Sequence, residues 1–171
     1  VHLADDGNGV GRLDDLGLLA AVIPEARALK GLQQNANHHL DVWEHTLEAM
    51  RQCERLIAGD GLPEDLARPI AGMMAEPACA PRTRAALLLL AALLHDVAKP
   101  QTQGMTPTGI ITFIGHDDEG AEVARTVCDR LRLSRRETKT VVTAVQAHLA
   151  PGFLSLDDAL PDRMRYRYFR D

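Results

Sequence analysis

The sequence predicts an all-α fold, a bundle of about six or seven helices, and three observations predict it. Alanine and leucine dominate the 171 residues, while aromatics make up only 4% and β-branched residues rarely cluster. That composition favours helix over sheet. Apolar residues recur at roughly helical spacing, as at Val42, Leu47, Met50 and Ile57. Capping residues, prolines and glycines then punctuate the chain.

The elements follow in order. Val1–Arg12 is rich in Gly and Asp and reads as a flexible N-terminal segment, leaving residues 13–171 as one domain. Leu13–Ile23 is apolar enough for a helix that Pro24 ends, and Glu25–Leu32 suits another short helical segment. Asp41 caps a helix to about Ala58, which Gly59-Asp60-Gly61 stops. Pro63, Pro69 and Pro77 break Leu62–Ala80 into short helices and loop. Arg82 or Thr83 starts a central helix that ends near Asp96–Ala98, with Pro100 at its exit. Gln101–Ile114 holds the one stretch of strand character, Ile110-Ile111-Thr112-Phe113, in a loop or small hairpin. Asp117 or Asp118 caps a helix to about Leu133. Ser134, with Glu137 three residues on, forms a capping box for another through His148. Ala150-Pro151-Gly152 breaks that helix, and Ser155 or Asp157 opens a last one towards Asp171.

A formal net charge of -5 argues against a dedicated nucleic-acid binder but leaves an anionic substrate open, since bound cations supply local positive charge. Cys53, Cys79 and Cys128 are far apart and odd in number, which points to reduced thiols in a cytoplasmic protein. No signal peptide is visible, and the apolar run Ala85–Leu94 is too short to span a bilayer. The chain begins without methionine and reads as a piece of something longer.

His95-Asp96 ends the central apolar run, so an imidazole and a carboxylate stand together at the polar end of a buried helix. Such groups are costly to bury unpaired, and a divalent metal is an economical partner. His45, His116 and His148 fall at or near helix ends, where side chains from several elements can converge on one cavity. Imidazole with carboxylate suits Mn, Fe, Co, Ni or Zn, and Mg where carboxylate and water dominate. A bridging carboxylate can hold two such ions, a pair suited to phosphoryl transfer. Spacing alone leaves this open against solvated or hydrogen-bonded histidines; His39, in a loop, reads as the latter.

The pattern His45 … His95-Asp96-x-x-Lys99 resembles the signature of the HD-domain superfamily of metal-dependent phosphohydrolases. A closer match runs through Leu16-Gly17-Leu18-Leu19, Ile23-Pro24-Glu25, Gln34-Asn35, Asp41-Val42-Trp43-Glu44-His45-Thr46-Leu47 and Leu93–Pro100. It continues in Phe113-x-Gly115-His116-Asp117-x-x-Gly120-Ala121 and His148. This combination is similar to the HD region of bacterial tRNA nucleotidyltransferases (CCA-adding enzymes) and poly(A) polymerase-like proteins. The resemblance implies an HD-domain helical bundle that binds one or two divalent metal ions. His45, His95 and Asp96 would hold the primary metal, with Asp96 bridging to a second held by His116 and His148. Lys99 would contact the substrate phosphate, which makes Asp96 and Lys99 the implied catalytic residues. The implied activity is hydrolysis of phosphomonoesters or phosphodiesters, including nucleotides such as 2′,3′-cyclic nucleotides. The implied partners are a phosphorylated small molecule or nucleotide, with RNA a further candidate and no membrane.

Two departures qualify the match. A further aspartate that relatives place on a later helix falls beyond Arg165–Asp171, and Asp157, Asp158, Asp162 and Asp171 are the candidates to replace it. The nucleotidyltransferase head has no counterpart. The alternative is therefore a non-catalytic RNA-binding or scaffolding domain of a nucleotidyltransferase-like protein. The alternating basic and aromatic stretch Arg163–Arg170 would suit RNA, but reads first as an amphipathic helix. Arg125, Arg130, Arg132, Arg135 and Arg136 are candidates to line a phosphate entrance but read mostly as solvated helix faces; Asp117-Asp118-Glu119 reads first as favourable charge at a helix N-terminus, with orientation of His116 by Asp117 the alternative.

Overall fold

The computed structural model describes residues 9–34, 40–79 and 82–155. The readings made for His38, His39, Asp157, Asp158, Asp162, Asp171 and the stretch 163–170 lie outside the described residues. Within them the expected all-α class forms: nine α-helical segments, one 3-10 turn and two minimal hairpins. The segments outnumber the six or seven expected, because one predicted helix divides and several connections coil into single turns.

The N-terminal part shows the division. Helix α1 (Gly9–Asp15) begins inside the segment expected to be flexible, so residues 9–12 are helical. Gly17, left-handed at φ 71°, separates α1 from α2 (Leu18–Val22) and breaks the expected single helix over 13–23. Pro24–Leu29 is a 3-10 turn with proline in its first position.

Helix α3 (Val42–Ala58) starts on a capping box in which Asp41 Oδ1 accepts from the Glu44 N–H at 2.7 Å and Glu44 Oε2 accepts from the Asp41 N–H at 3.3 Å. Its buried residues are Trp43 and the stripe Val42, Thr46 and Met50, at i, i+4 and i+8. Helix α4 (Glu64–Ala75) corrects the expectation of short pieces, because it runs straight through Pro69. None of its residues is buried. Asp65, whose carbonyl Pro69 leaves without a donor, is an exposed residue, which eases the usual penalty. Strand β1 (Pro77–Cys79) pairs antiparallel with β2 (Arg82–Thr83), a hairpin too short to show as alternation in sequence.

Helix α5 (Arg84–Leu94) is the centre of the molecule. Thr83 caps it, accepting from the Ala86 N–H at 3.2 Å, and Leu87, Ala91 and Leu94 are buried at i, i+4 and i+7. It packs against α3 and against α8 (Arg135–Gln146). A single turn, α6 (Lys99–Thr102), follows Ala98. Strands β3 (Gly104–Met105) and β4 (Ile111–Thr112) then pair as the hairpin anticipated in this region.

Helix α7 (His116–Arg130) begins after Gly115, which is left-handed at φ 80° and makes no side-chain cap. Neither Asp117 nor Asp118 is the cap, because the helix starts before them; their charge instead sits in its first turn, where it favours the helix dipole. Helix α8 carries the expected Ser134–Glu137 capping box but ends at Gln146, leaving His148 just past it. Pro151 lies in the first turn of a short α9 (Ala150–Ser155), where proline is tolerated, so this segment opens a helix as well as closing one. Gly120 lies where α7 meets α8, and a Cβ there would stand 3.4 Å from Val145 Cγ1, about van der Waals contact. Arg130 grips Glu25 through both carboxylate oxygens and ties α7 to the N-terminal turns. Among the described residues no helix is long and apolar enough to cross a membrane.

Candidate metal centre

Four helix ends deliver the histidines. His45 is the fourth residue of α3, His95 follows the last residue of α5, His116 opens α7, and His148 stands two residues beyond α8. Asp96, 1% exposed, lies at their centre. Its Oδ2 is 3.0 Å from His95 Nε2 and 3.7 Å from His45 Nε2. Its Oδ1 is 3.4 Å from His116 Nε2 and 3.7 Å from His148 Nε2. The ligand atoms form two groups, His45 with His95 and Asp96, and Asp96 with His116 and His148, each within 4.8 Å. All the histidines proposed as ligands from the sequence thus come together on Asp96, and Lys99 joins them with Nζ 2.9 Å from Oδ2.

The orientation of the rings comes from their own helix ends. Nδ1 of His95 contacts the Ala92 carbonyl at 2.8 Å; that of His116 contacts Phe113 and that of His148 contacts Val145, both at 2.6 Å. In each case the carbonyl is three residues earlier. A carbonyl only accepts, so each Nδ1 carries the proton, and in the neutral ring Nε2 holds a lone pair. Two of those nitrogens face each other, His116 and His148 Nε2 at 3.2 Å, while His95 Nε2 lies 3.3 Å from the Nε2 of His45. Facing lone pairs repel unless a proton or a cation satisfies both.

The charges are consistent with this. Burial works to raise the Asp96 carboxyl, but its contacts with His116 and His95 and the charges of His95 and Lys99 overcome that and hold it well below the usual carboxylate range. Burial likewise works to lower His116, and the Asp96 contact, the Phe113 carbonyl and the Asp96 charge outweigh it, so His116 is raised. His148 is lowered, first by burial and then by the charges of His95 and His116. Asp96 Oδ2 remains a buried anionic oxygen that accepts no aligned hydrogen bond despite its close cations. Such an atom is costly in a protein interior. The buried carboxylate and inward-facing imidazoles fit a divalent ion of the Mn, Fe, Co, Ni or Zn type.

The cleft over this centre has a volume of about 450 Å³. Its polar side is the histidines, Asp96, Lys99 and Gln34; its other side is apolar, built from Ile110, Ile111, Phe113 and Ile114 at the β3–β4 hairpin and its exit. Sequence reasoning assigned no role to two of these residues. Gln34 is buried and its Oε1 accepts from Lys99 Nζ at 2.7 Å. The Phe113 ring lies 5.3 Å from that same ammonium, while the Phe113 carbonyl orients His116. Both stand within the motif stretches, but only the folded chain brings Gln34 to a lysine 65 positions away. Among the arginines singled out from the sequence, none of the described ones lines this cleft: Arg125 and Arg135 border a separate groove between α7 and α8. Asp117 follows His116 in the first turn of α7, and it is the Phe113 carbonyl that orients the His116 ring.

Comparison with known proteins agrees with the geometry. The family model described as "HD domain" matches residues 42–167. The chain is 37% identical over 164 residues to the A-adding tRNA nucleotidyltransferase of Deinococcus radiodurans, a match covering 95% of this chain and 32% of that protein. It is 34% identical over 165 residues to the CC-adding tRNA nucleotidyltransferase of Thermus thermophilus, covering 90% and 32%. It is 31% identical over 159 residues to the bifunctional uridylyltransferase/uridylyl-removing enzyme of Azospirillum brasilense, covering 92% and 15%. The chain thus spans about a third or less of the length of these relatives. With a family match over most of the chain and a His/Asp centre at the expected positions, the chain belongs to the HD domain family.

Proposed function

We propose that this chain is a metal-dependent phosphohydrolase acting on phosphomonoesters or phosphodiesters, with nucleotides such as 2′,3′-cyclic nucleotides as the substrate class. One observation carries the reading: a buried, ionised Asp96 with an oxygen lacking an aligned hydrogen bond, ringed by four imidazole Nε2 atoms. His45, His95 and Asp96 would hold one divalent ion, and Asp96, His116 and His148 a second. When bound, such ions supply the charge that acidifies water and polarises phosphoryl oxygens.

The residues of the chain do the rest. Asp96 keeps its negative charge throughout, because its neighbours disfavour protonation. The carbonyls behind His95, His116 and His148 hold those rings in one direction, so little reorganisation is needed when substrate arrives. Lys99 places a positive charge at the cleft wall for a phosphoryl oxygen. The apolar wall of Ile110, Ile111, Phe113 and Ile114 covers the non-phosphate part of the substrate and excludes water from that side.

The test is metal analysis of the purified chain with hydrolysis of an aryl phosphate, a bis-aryl phosphodiester and 2′,3′-cyclic AMP, each with added Mn, Co, Ni or Mg. Bound metal with chelator-sensitive hydrolysis is expected. The names of the tRNA nucleotidyltransferase relatives favour one second reading, a non-catalytic RNA-binding or scaffolding domain. Steeply salt-dependent tRNA binding with neither metal nor turnover would select it.

A further inference from the structure

Lys99 contends with any cation for one oxygen. Its Nζ lies 2.9 Å from Asp96 Oδ2, the oxygen on the side of His45 and His95. Lys99 is 7% exposed, so an ammonium that loses a protein partner is poorly compensated by water. A divalent ion on Oδ2 would repel it at close range.

Its other acceptor is Gln34 Oε1, at 2.7 Å, the shorter of the two contacts. The amide is itself oriented, since Gln34 Nε2 donates to the Leu40 carbonyl at 3.4 Å. That leaves Oε1 turned to the lysine. An amide oxygen holds an ammonium without adding a second anion to the cleft, where a carboxylate would also attract metal. The Phe113 ring, 5.3 Å away, offers only its π-face.

We propose that Gln34 is a positioning residue that receives Lys99 when a divalent cation occupies Asp96 Oδ2, keeping the ammonium in the cleft and out of competition with the metal. The proposal rests on the metal-dependent reading above and deepens it. Without this acceptor Lys99 has only Asp96 and the Phe113 ring to hold it, and the cation must displace the ammonium from the carboxylate into the cleft.

The experiment is Mn2+ titration of the whole chain by calorimetry, for the wild type, Gln34→Ala, Lys99→Ala and the double variant. Gln34→Ala is expected to weaken Mn2+ binding roughly tenfold, the scale of an outer partner of a metal site. In the double variant the loss disappears, and binding matches that of Lys99→Ala alone. Gln34→Glu keeps an acceptor at the same reach and binds Mn2+ at least as well as wild type. If Gln34→Ala does not fold, Gln34→Asn, which withdraws the oxygen by one methylene, carries the same expectation. Unchanged Mn2+ affinity on removing the acceptor, or an undiminished loss in the Lys99→Ala background, overturns the role of Gln34 alone. A wild-type chain that takes up no Mn2+ overturns this proposal together with the phosphohydrolase reading.

Discussion

His116 and His148 meet Nε2 to Nε2 across 3.2 Å, although 32 positions separate them in the chain. The start of α7 and the exit of α8 bring them together. Both rings are within 3.7 Å of Asp96 Oδ1, opposite the oxygen that faces His45 and His95. The consequences for metal binding can be measured.

Asp96→Ala removes the one anion common to both ligand groups. Metal uptake and turnover should both be lost, because four imidazoles and an ammonium then share a site with no negative charge. Metal analysis of the purified variant beside wild type checks this, and a fully active Asp96→Ala protein would refute the mechanism.

His148→Ala dismantles one ligand group and leaves His45, His95 and Asp96 intact. The number of ions bound should fall while one remains, and this should be visible as a lower plateau in a Mn2+ titration. His45→Ala should do the converse. Equal and complete loss from both variants would show that the two groups act as one site.

Ile114 is 85% exposed at the edge of the apolar wall, an unfavourable place for isoleucine unless something covers it. Ile114→Ala should raise KM for an aryl phosphate about fivefold, from about 1 kcal/mol of lost apolar contact. Inhibition by orthophosphate, which has no group to reach that wall, should be unchanged.

Glu137 is buried, with its Oε2 accepting from the Ser134 N–H at 2.7 Å and its Oε1 paired with Arg82 at 3.1 Å. The contacts with Ser134, then that with Arg82, hold its carboxyl below the ordinary 4.5 against the opposing effect of burial. A folded-state pKa below the unfolded one means the unfolded chain takes up more protons in acid. The stabilisation is therefore complete above about 4.5 and is lost as pH falls through the lowered value. Glu137→Gln should lower Tm near neutrality and flatten its decline in acid, which thermal melts over a pH series will show.

Much of the architecture was legible because it rests on local chemistry. Asp41 as a cap and Ser134 with Glu137 as a capping box announce their helices locally, and both form, with Glu44 completing a second box at Asp41. Helix α4 was misread because Pro69 carries a strong local signal, while the exposure that makes it tolerable is a tertiary property. The start of α7 at His116 was missed because aspartates usually cap, whereas here Gly115 turns the chain first. At the metal centre each histidine was visible in its motif. The hold of Gln34 on Lys99 was not, since no periodicity links residues 65 apart.

Three of the histidines take their direction from a carbonyl three residues back, within their own stretch of backbone. The instruction for aiming each ring is therefore carried by four consecutive residues and needs no distant partner. Such units are portable. Substitutions elsewhere in the scaffold, including Ile110 and Ile111 of the cleft wall, can reshape what enters the cleft while leaving the aim of these imidazoles untouched. A protein organised this way can change its substrate by mutation without first losing its metal, and grafting the same short helix ends onto a designed bundle is a direct way to rebuild the centre.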